Sequence, residues 1–479
     1  MEIVMIIIVS IIAVVLIVMG ISAYLFKQTV QAYPSKITHP LDRKRITESM
    51  QSMLQFKTIS YIDRSLQNQA AFDGFKAFLK TRYPHIIKHS EVLEMRDTLI
   101  VFKVKGESHD DPVVLMSHYD VVPENGAWDV PPFSGALKDG KIYGRGAIDT
   151  KSTLCAVVES VEYLLKDNHH FKQDIYLAFS GDEEIRGGSA EGLVDYLEAR
   201  KLTPKFVLDE GGAIVEDIFP GVKQKAAVIG LGEKGFMSVN LTAKSHGGHA
   251  SMPAHNTPLT KLSDTVALLN KKDPFKLRIT PPIKAMFLTL AKHSTSLKMR
   301  FVFANLWLFA PIIKHLAYKN EGELMALLKT TQAFTMMQGS EAINVLPSTA
   351  TTGVNYRLLQ GETSDDVMIK INCLLPHKDI KVSLDYVTEA TKISKMDTVF
   401  DDIKDSIQST WDDTIVSPYL MMAATDSRYY HRISDHVYRF SPMKMTKDER
   451  KLIHGINEAI RVDSLIECTT FYVNLLQKL

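Results

Sequence analysis

Acidic residues and histidines fall at the carboxyl ends of successive strand-like runs, and this placement constrains the fold more than any other feature of the chain. TLIVFKVK (98–105), VVLMS (113–117), IYLAFS (175–180) and KFVLD (205–209) are apolar runs of strand length. Residues 151–166 and 189–200 between them have helical texture. Strand–helix–strand alternation predicts an α/β domain on a mainly parallel sheet. In such sheets the carboxyl ends of the strands open onto one crevice, where ligands bind. The chain delivers His118 and Asp120 there after the second run, and Asp182, Glu183 and Glu184 after the third. Asp209 and Glu210 close the fourth. Asp149 ends a Gly-rich turn (YGRGAIDTK, 143–151) that opens a helix, and His454 (KLIHGINEAI) is expected near a helix start.

Taken singly these signals are modest. Asp149 suits a helix N-cap, a lone His is more often structural, and Asp182–Glu184 reads equally as a solvated acidic turn. Their convergence carries the argument. Uncompensated buried carboxylates are costly, and adjacent acids repel unless cations neutralise them. Two divalent cations would do so. Imidazole and carboxylate donors without thiolate suit Zn²⁺, two per subunit, with Co²⁺ or Mn²⁺ also compatible. Cys155, Cys373 and Cys468 are odd in number and far apart, which excludes a disulfide framework and a Cys-rich zinc site. Lys plus Arg (56) balances Asp plus Glu (55) and no long basic run occurs, so no charge draws the chain to nucleic acid.

The texture changes near Gly230. A strand (236–244), a helix (258–271), strands near 334–337 and 349–358, a helix (364–374) and a strand (380–387) follow in turn. That β-α-β-β-α-β order predicts an inserted ferredoxin-like α+β domain over 230–391. Residues 273–333 interrupt it. Within them FVFANLWLFAPII (301–313) is too short to span a membrane and contains Pro311. It reads foremost as a buried helix pair, and otherwise as a wall for an apolar substrate or a membrane-touching surface. The catalytic domain is then expected in two parts, 45–229 and 392–479.

Ile3 to Phe26 carries no charge and is long enough to cross a bilayer as a helix. It lacks the basic n-region and Ala-x-Ala site of a signal peptide, which favours an uncleaved single-pass anchor over residues 1–26. A linker over 27–44 follows, with Pro34 and Pro40. Lys27, Lys36, Arg43, Lys44 and Arg45 follow the span, a weak lean to a cytoplasmic body.

From about residue 45 onward the chain resembles the dizinc M20 metallopeptidase family, which includes carboxypeptidase S, glutamate carboxypeptidase, succinyl-diaminopimelate desuccinylase and the aminoacylases. The branch of carboxypeptidase S and the N-acyl-amino-acid hydrolases is the nearest. HYDVVPENGAWDVPPFSG, DGKIYGRGAIDTKS, GDEE, LDEGG, GGHASMP, LWLFAPII, INVLP, TDSRYY and IHGINE carry the likeness. The resemblance implies that His118 and Asp209 hold one metal, Glu184 and His454 the other, and Asp149 bridges them. It makes Glu183 the general acid/base and Asp120 the partner of His118. GGHASMP resembles the family's lid motif, which makes His249, rather than His246, the oxyanion donor. Asn344 and Arg357 would bind the substrate carboxylate, and Thr425 and Arg428 would line the substrate side. Dimeric relatives pair through the lid, which implies a homodimer. Hydrolysis of a small peptide or N-acyl amino acid beside a free carboxylate is the implied activity. The competing readings are an inactive membrane-tethered binding protein and a small-metabolite deacylase. One departure is that Thr150 follows Asp149 where the branch often has a second acid.

Overall fold

The computed structural model describes residues 2–26, 34–216, 219, 221–320 and 322–479. The first part of the expected linker, residues 27–33 with Lys27, lies outside them. The next helix, Arg43–Leu54, begins where the Asp42 side chain accepts the Arg45 N–H at its N-terminus.

The larger sheet has eight strands. Their order is Ser90–Met95, Leu99–Val104, Gln173–Ser180, Ser108–His118, Phe206–Val215, Val437–Met445, Ala226–Glu233 and Ile415–Met421. The four strands from Gln173–Ser180 to Val437–Met445 run parallel to one another. The rest of the sheet is not mainly parallel. Ser90–Met95 and Leu99–Val104 form an antiparallel hairpin that also pairs antiparallel with Gln173–Ser180. Its turn residues Arg96 and Asp97 both take positive φ (43° and 61°), the twist that a tight hairpin turn needs. Ala226–Glu233 is antiparallel to Val437–Met445. Apolar runs mark strands without encoding their direction, so a mixed sheet reads like a parallel one.

The parallel strands are buried along most of their length, since helices cover both faces. The Lys151–Lys166 helix is buried almost throughout, between the sheet and the Val462–Leu476 helix. Its two inner acids are satisfied locally. Glu159 accepts Ser49 Oγ (2.6 Å) and Arg45 Nε (3.0 Å), and Glu162 accepts the Ile86 N–H (2.9 Å).

A second sheet has the order Thr331–Gln338, Thr349–Leu358, Gly235–Lys244, Lys381–Thr388, antiparallel throughout. Helices Pro258–Lys272 and Ser364–Leu374 share its core. Along Thr349–Leu358 alternate residues point inward, from Ala350 to Leu358, which turns Asn355 and Arg357 to the opposite face.

Residues 281–328 form four helices, Pro281–His293, Leu297–Ala304, Leu306–Asn320 and Gly322–Leu328. The expected buried helix pair within 301–313 is only half buried. Phe303, Leu306 and Ile313 enter a core with Phe287 and Leu420, while Trp307, Leu308 and Ile312 face outward.

Candidate metal centre

Parallel strands bring their carboxyl ends to one edge of the sheet, and the site is built there. His118 ends its strand and is buried. Its Nδ1 stands 3.0 Å from the Asp120 carbonyl oxygen and 3.3 Å from the Asp120 carboxylate, so Asp120 fixes the ring through backbone and side chain together. Its Nε2 then points to Asp149 Oδ1 (3.1 Å) and Glu210 Oε1 (3.2 Å).

Asp149 also faces His454. The second oxygen, Oδ2, lies 3.1 Å from His454 Nε2, which in turn lies 3.2 Å from Glu184 Oε2. Two triads result, His118–Asp149–Glu210 and Asp149–Glu184–His454, which share Asp149. His454 does not start a helix. It takes φ 57° in the turn between Lys447–Arg450 and the short strand Ala459–Arg461, and that left-handed turn presents its ring to Asp149.

Asp120 organises the acidic turn as well. Its fully buried carboxylate accepts the N–H groups of Glu183 (3.2 Å) and Glu184 (3.1 Å) and the Ser60 hydroxyl (2.7 Å). Glu183 is not a member of either triad. Burial, together with the carboxylates of Glu210 and Asp426, holds its carboxyl well above the usual range, against the pull of His118.

Asp209 is absent from the triads, and the third member beside His118 and Asp149 is Glu210. The oxygens of Asp209 accept the N–H groups of Glu210 (2.9 Å) and Ser427 (2.9 Å). The strand does not stop at Asp209 but runs on to Val215. Its ladder with Val437–Met445 jumps from Asp209↔Arg439 to Gly212↔Phe440. This bulge breaks the strict alternation of side chains and brings Glu210 to His118. Gly211 makes the bulge possible: it takes φ +134°, and a Cβ there would meet Arg439 Cβ at 2.9 Å. Burial and the Asp149 and Asp209 carboxylates push the Glu210 carboxyl up to about 8, partly offset by His118. Hydrogen bonds that the His454 ring donates to the Asp149 and Glu184 carboxylates push His454 up to about 10. With its acids ionised the cluster sets three carboxylates against two imidazoles, and the buried Glu184 Oε1 has no hydrogen-bond partner. A set of carboxylate and imidazole donors with a shared Asp and an orphaned buried oxygen fits a pair of divalent cations.

The remaining expected residues lie at various removes. Thr425 is buried, and its hydroxyl donates to Glu233 (2.8 Å) and pairs with Ser427 (2.7 Å). Arg428 is buried too, donating to the Thr425 carbonyl (2.8 Å) and the Tyr429 hydroxyl (2.8 Å). Arg357 is half-buried, with its guanidinium 4.9 Å from the Phe236 ring centre. Burial and the neighbouring Arg186, which covers the same ring at 3.6 Å, press its pKa down. His249 and Asn344 are exposed on an arm of the second sheet, where the Ala250 N–H donates to the Asn344 carbonyl (3.0 Å). Ser251 occupies His249 Nδ1 at 2.8 Å.

The sequence reading assigns no role to two residues at this centre. One is Glu210, visible only as the second acid of LDEGG. The other is Glu458, within IHGINE. Its buried carboxylate accepts the N–H groups of Gly146 (3.0 Å), Ile148 (2.7 Å) and Asp149 (3.1 Å) and pairs with Arg145 (2.9 Å). It therefore holds the turn that carries the shared Asp149.

Several known proteins share this architecture. The chain is 32% identical over 433 residues to a probable carboxypeptidase S-like protein of Dictyostelium discoideum, covering 88% of this chain and 82% of the relative. It is 31% identical over 445 residues to an N-fatty-acyl-amino acid synthase/hydrolase of Xenopus tropicalis, covering 91% and 86%. Among solved structures, an M20 family metallo-carboxypeptidase from Sulfolobus solfataricus superposes with a TM-score of 0.66 at 17% identity, covering 90% of this chain and 98% of that one. Residues 114–478 match Peptidase family M20/M25/M40, and the chain belongs to that family.

Proposed function

We propose that the crevice holds two zinc ions and that the protein hydrolyses an amide bond next to a free carboxylate. One observation carries this reading: Asp149 directs one oxygen to each of two imidazoles, 3.1 Å from His118 and 3.1 Å from His454. His118 and Glu210 would hold one ion, Glu184 and His454 the other, with Asp149 between them. Glu210 takes the place expected of Asp209, because its Oε1 lies 3.2 Å from His118 Nε2 while Asp209 belongs to neither triad. When bound, such a pair supplies an acidified water and a polarised amide carbonyl.

The chain's own residues do the rest. Glu183 takes a proton from the attacking water and returns it to the leaving amine; its raised pKa suits a group that must both accept and donate. Asp120 keeps the Glu183–Glu184 turn and His118 in register. His249 would offer its ring N–H to the developing oxyanion when the second sheet closes over the crevice, as a lid, or from a partner copy in a dimer. Arg357, with Asn344, would receive the substrate carboxylate, for which a planar guanidinium is suited. Thr425 and Arg428 would support the opposite wall rather than touch substrate, since their polar groups are already engaged.

Both relatives are named for chemistry at an amide adjoining a carboxylate, carboxypeptidase in one case and N-fatty-acyl amino acid in the other. An N-acyl amino acid with an apolar acyl group, or a small peptide, is the substrate class. The helical insertion supports the apolar acyl group: Met422 packs against its core, and the Met422 carbonyl lies 3.5 Å from the Arg357 guanidinium. The helix Glu2–Leu25 anchors the enzyme in a membrane. The test is the full chain, loaded with zinc, on N-acyl amino acids and dipeptides. Glu183→Gln should lower kcat by about 10²–10⁴-fold with metal content unchanged. Hydrolysis at the wild-type rate would overturn the mechanism.

A further inference from the structure

We infer that helices Leu297–Ala304 and Leu306–Asn320 make a second membrane contact, lying in the interfacial layer of a bilayer beside the N-terminal helix. The inference adds a surface to the anchor proposed above and rests on that anchor for its position.

The first observation is where the N-terminal helix meets the body. Met19 is the one buried residue of Glu2–Leu25. Ser22 Oγ donates to the Ala304 carbonyl (3.1 Å), and the buried Asn305 amide donates to the Met19 carbonyl (3.3 Å). Phe26 packs against the insertion's core. The two hydrogen bonds fall at the bend of 109° between the two helices. From Glu2 to Val18 the helix stands clear of the body, about 26 Å at 1.5 Å per residue. That is close to the roughly 30 Å hydrocarbon thickness of a bilayer. The bilayer surface nearest the body therefore comes level with Ala304–Asn305.

The second observation is the character of the adjoining helix. Leu306, Ile313 and Ala317 pack inward. Around the opposite side Leu308, Ile312 and Leu316 follow one another at i, i+4, i+8 and face outward, beside Trp307. Trp307 is 64% exposed and Ile312 54%. A helix apolar on both faces is unsuited to a surface in water.

Charge is the third. Between Asp273 and Glu321 the sequence contains no Asp or Glu, while it contains Lys276, Arg278, Lys284, Lys292, Lys298, Arg300, Lys314 and Lys319. An apolar ridge on a segment whose charged side chains are all cationic fits an anionic lipid surface. The same ridge on a second copy would bring cations against cations, which disfavours self-association as its cover.

The test is the full chain in vesicles of phosphatidylcholine and phosphatidylserine carrying acyl chains brominated near the headgroup. The fluorescence of Trp307 is read as the difference between wild type and Trp307→Phe, since Trp411 is buried and Trp128 sits in the catalytic body under Arg145. Brominated lipid should reduce the Trp307 component at least twofold, and Leu308→Glu/Ile312→Glu should abolish the reduction. A Trp307 component untouched by bromine overturns the inference. So does a detergent-stable dimer that the double substitution splits, which would assign the ridge to a second copy. Extraction of the chain by alkaline carbonate would sink the anchor instead, and Trp307 quenching on added vesicles would still decide the contact.

Discussion

Glu458 accepts the backbone N–H of Asp149 at 3.1 Å, across 309 residues of sequence. It binds the Ile148 N–H with the same oxygen (2.7 Å), so one buried carboxylate sets the direction of the shared acid of both triads. Groups that orient ligands in this way typically account for 10–100-fold in metal affinity. Glu458→Gln should weaken retention of both metals by about that factor against a competing chelator. Full retention would show that the turn holds its shape without Glu458.

Replacing each acid of LDEGG separately distinguishes Glu210 from Asp209. Glu210→Gln should leave the purified protein with one metal per chain after dialysis. Asp209→Asn should keep two, because the Asp209 oxygens bond the Glu210 and Ser427 N–H groups rather than face the triads. Elemental analysis reads the stoichiometry directly. The reverse pattern would return the ligand role to Asp209.

Arg439 and Glu233 form an ion pair of 2.6 Å with both side chains buried, and Glu233 also takes the Thr425 hydroxyl. Removing one partner strands a charge in the core, which costs about 3–5 kcal/mol. Glu233→Leu should therefore lower the urea midpoint sharply, and Glu233→Leu with Arg439→Met should recover most of it. Equal loss in the single and double variants would mean that the pair is not the source.

His431 titrates far from its ordinary value. Burial and then the Arg439 guanidinium push it down to about 3. Its unfolded value is about 6.5. Between these two values the unfolded chain binds a proton that the folded protein does not, so folding stability falls as pH falls. The contribution is present above about pH 6.5 and is lost at up to about 1.4 kcal/mol per pH unit below it. Urea unfolding at pH 7.5, 6 and 5 should show a shallower acid dependence for His431→Gln than for wild type. Parallel curves would refute the shift.

Much of the site was legible because acids and histidines that follow apolar runs need only the runs to be parallel neighbours. His118 and Glu184 come together in this way, and the turns that carry Asp149 and His454 meet them. Glu210 was not legible in the same way. Strand alternation assigns only one of two adjacent residues to a face, and the bulge that admits Glu210 depends on the partner strand near Arg439. Glu458 was hidden for a related reason: its partners are backbone N–H groups, which leave no mark on the sequence.

By itself the sequence determined the periodicities, the apolar N-terminal helix, four of the five histidine and carboxylate positions in the two triads, and the long motifs of the family. These are local properties, written in the order of side chains. Tertiary structure alone decided strand direction, which of two neighbouring acids meets His118, and that the N-terminal helix touches the insertion at Asn305. Each of those depends on residues brought together by packing, across separations over which side-chain order carries no record of contact.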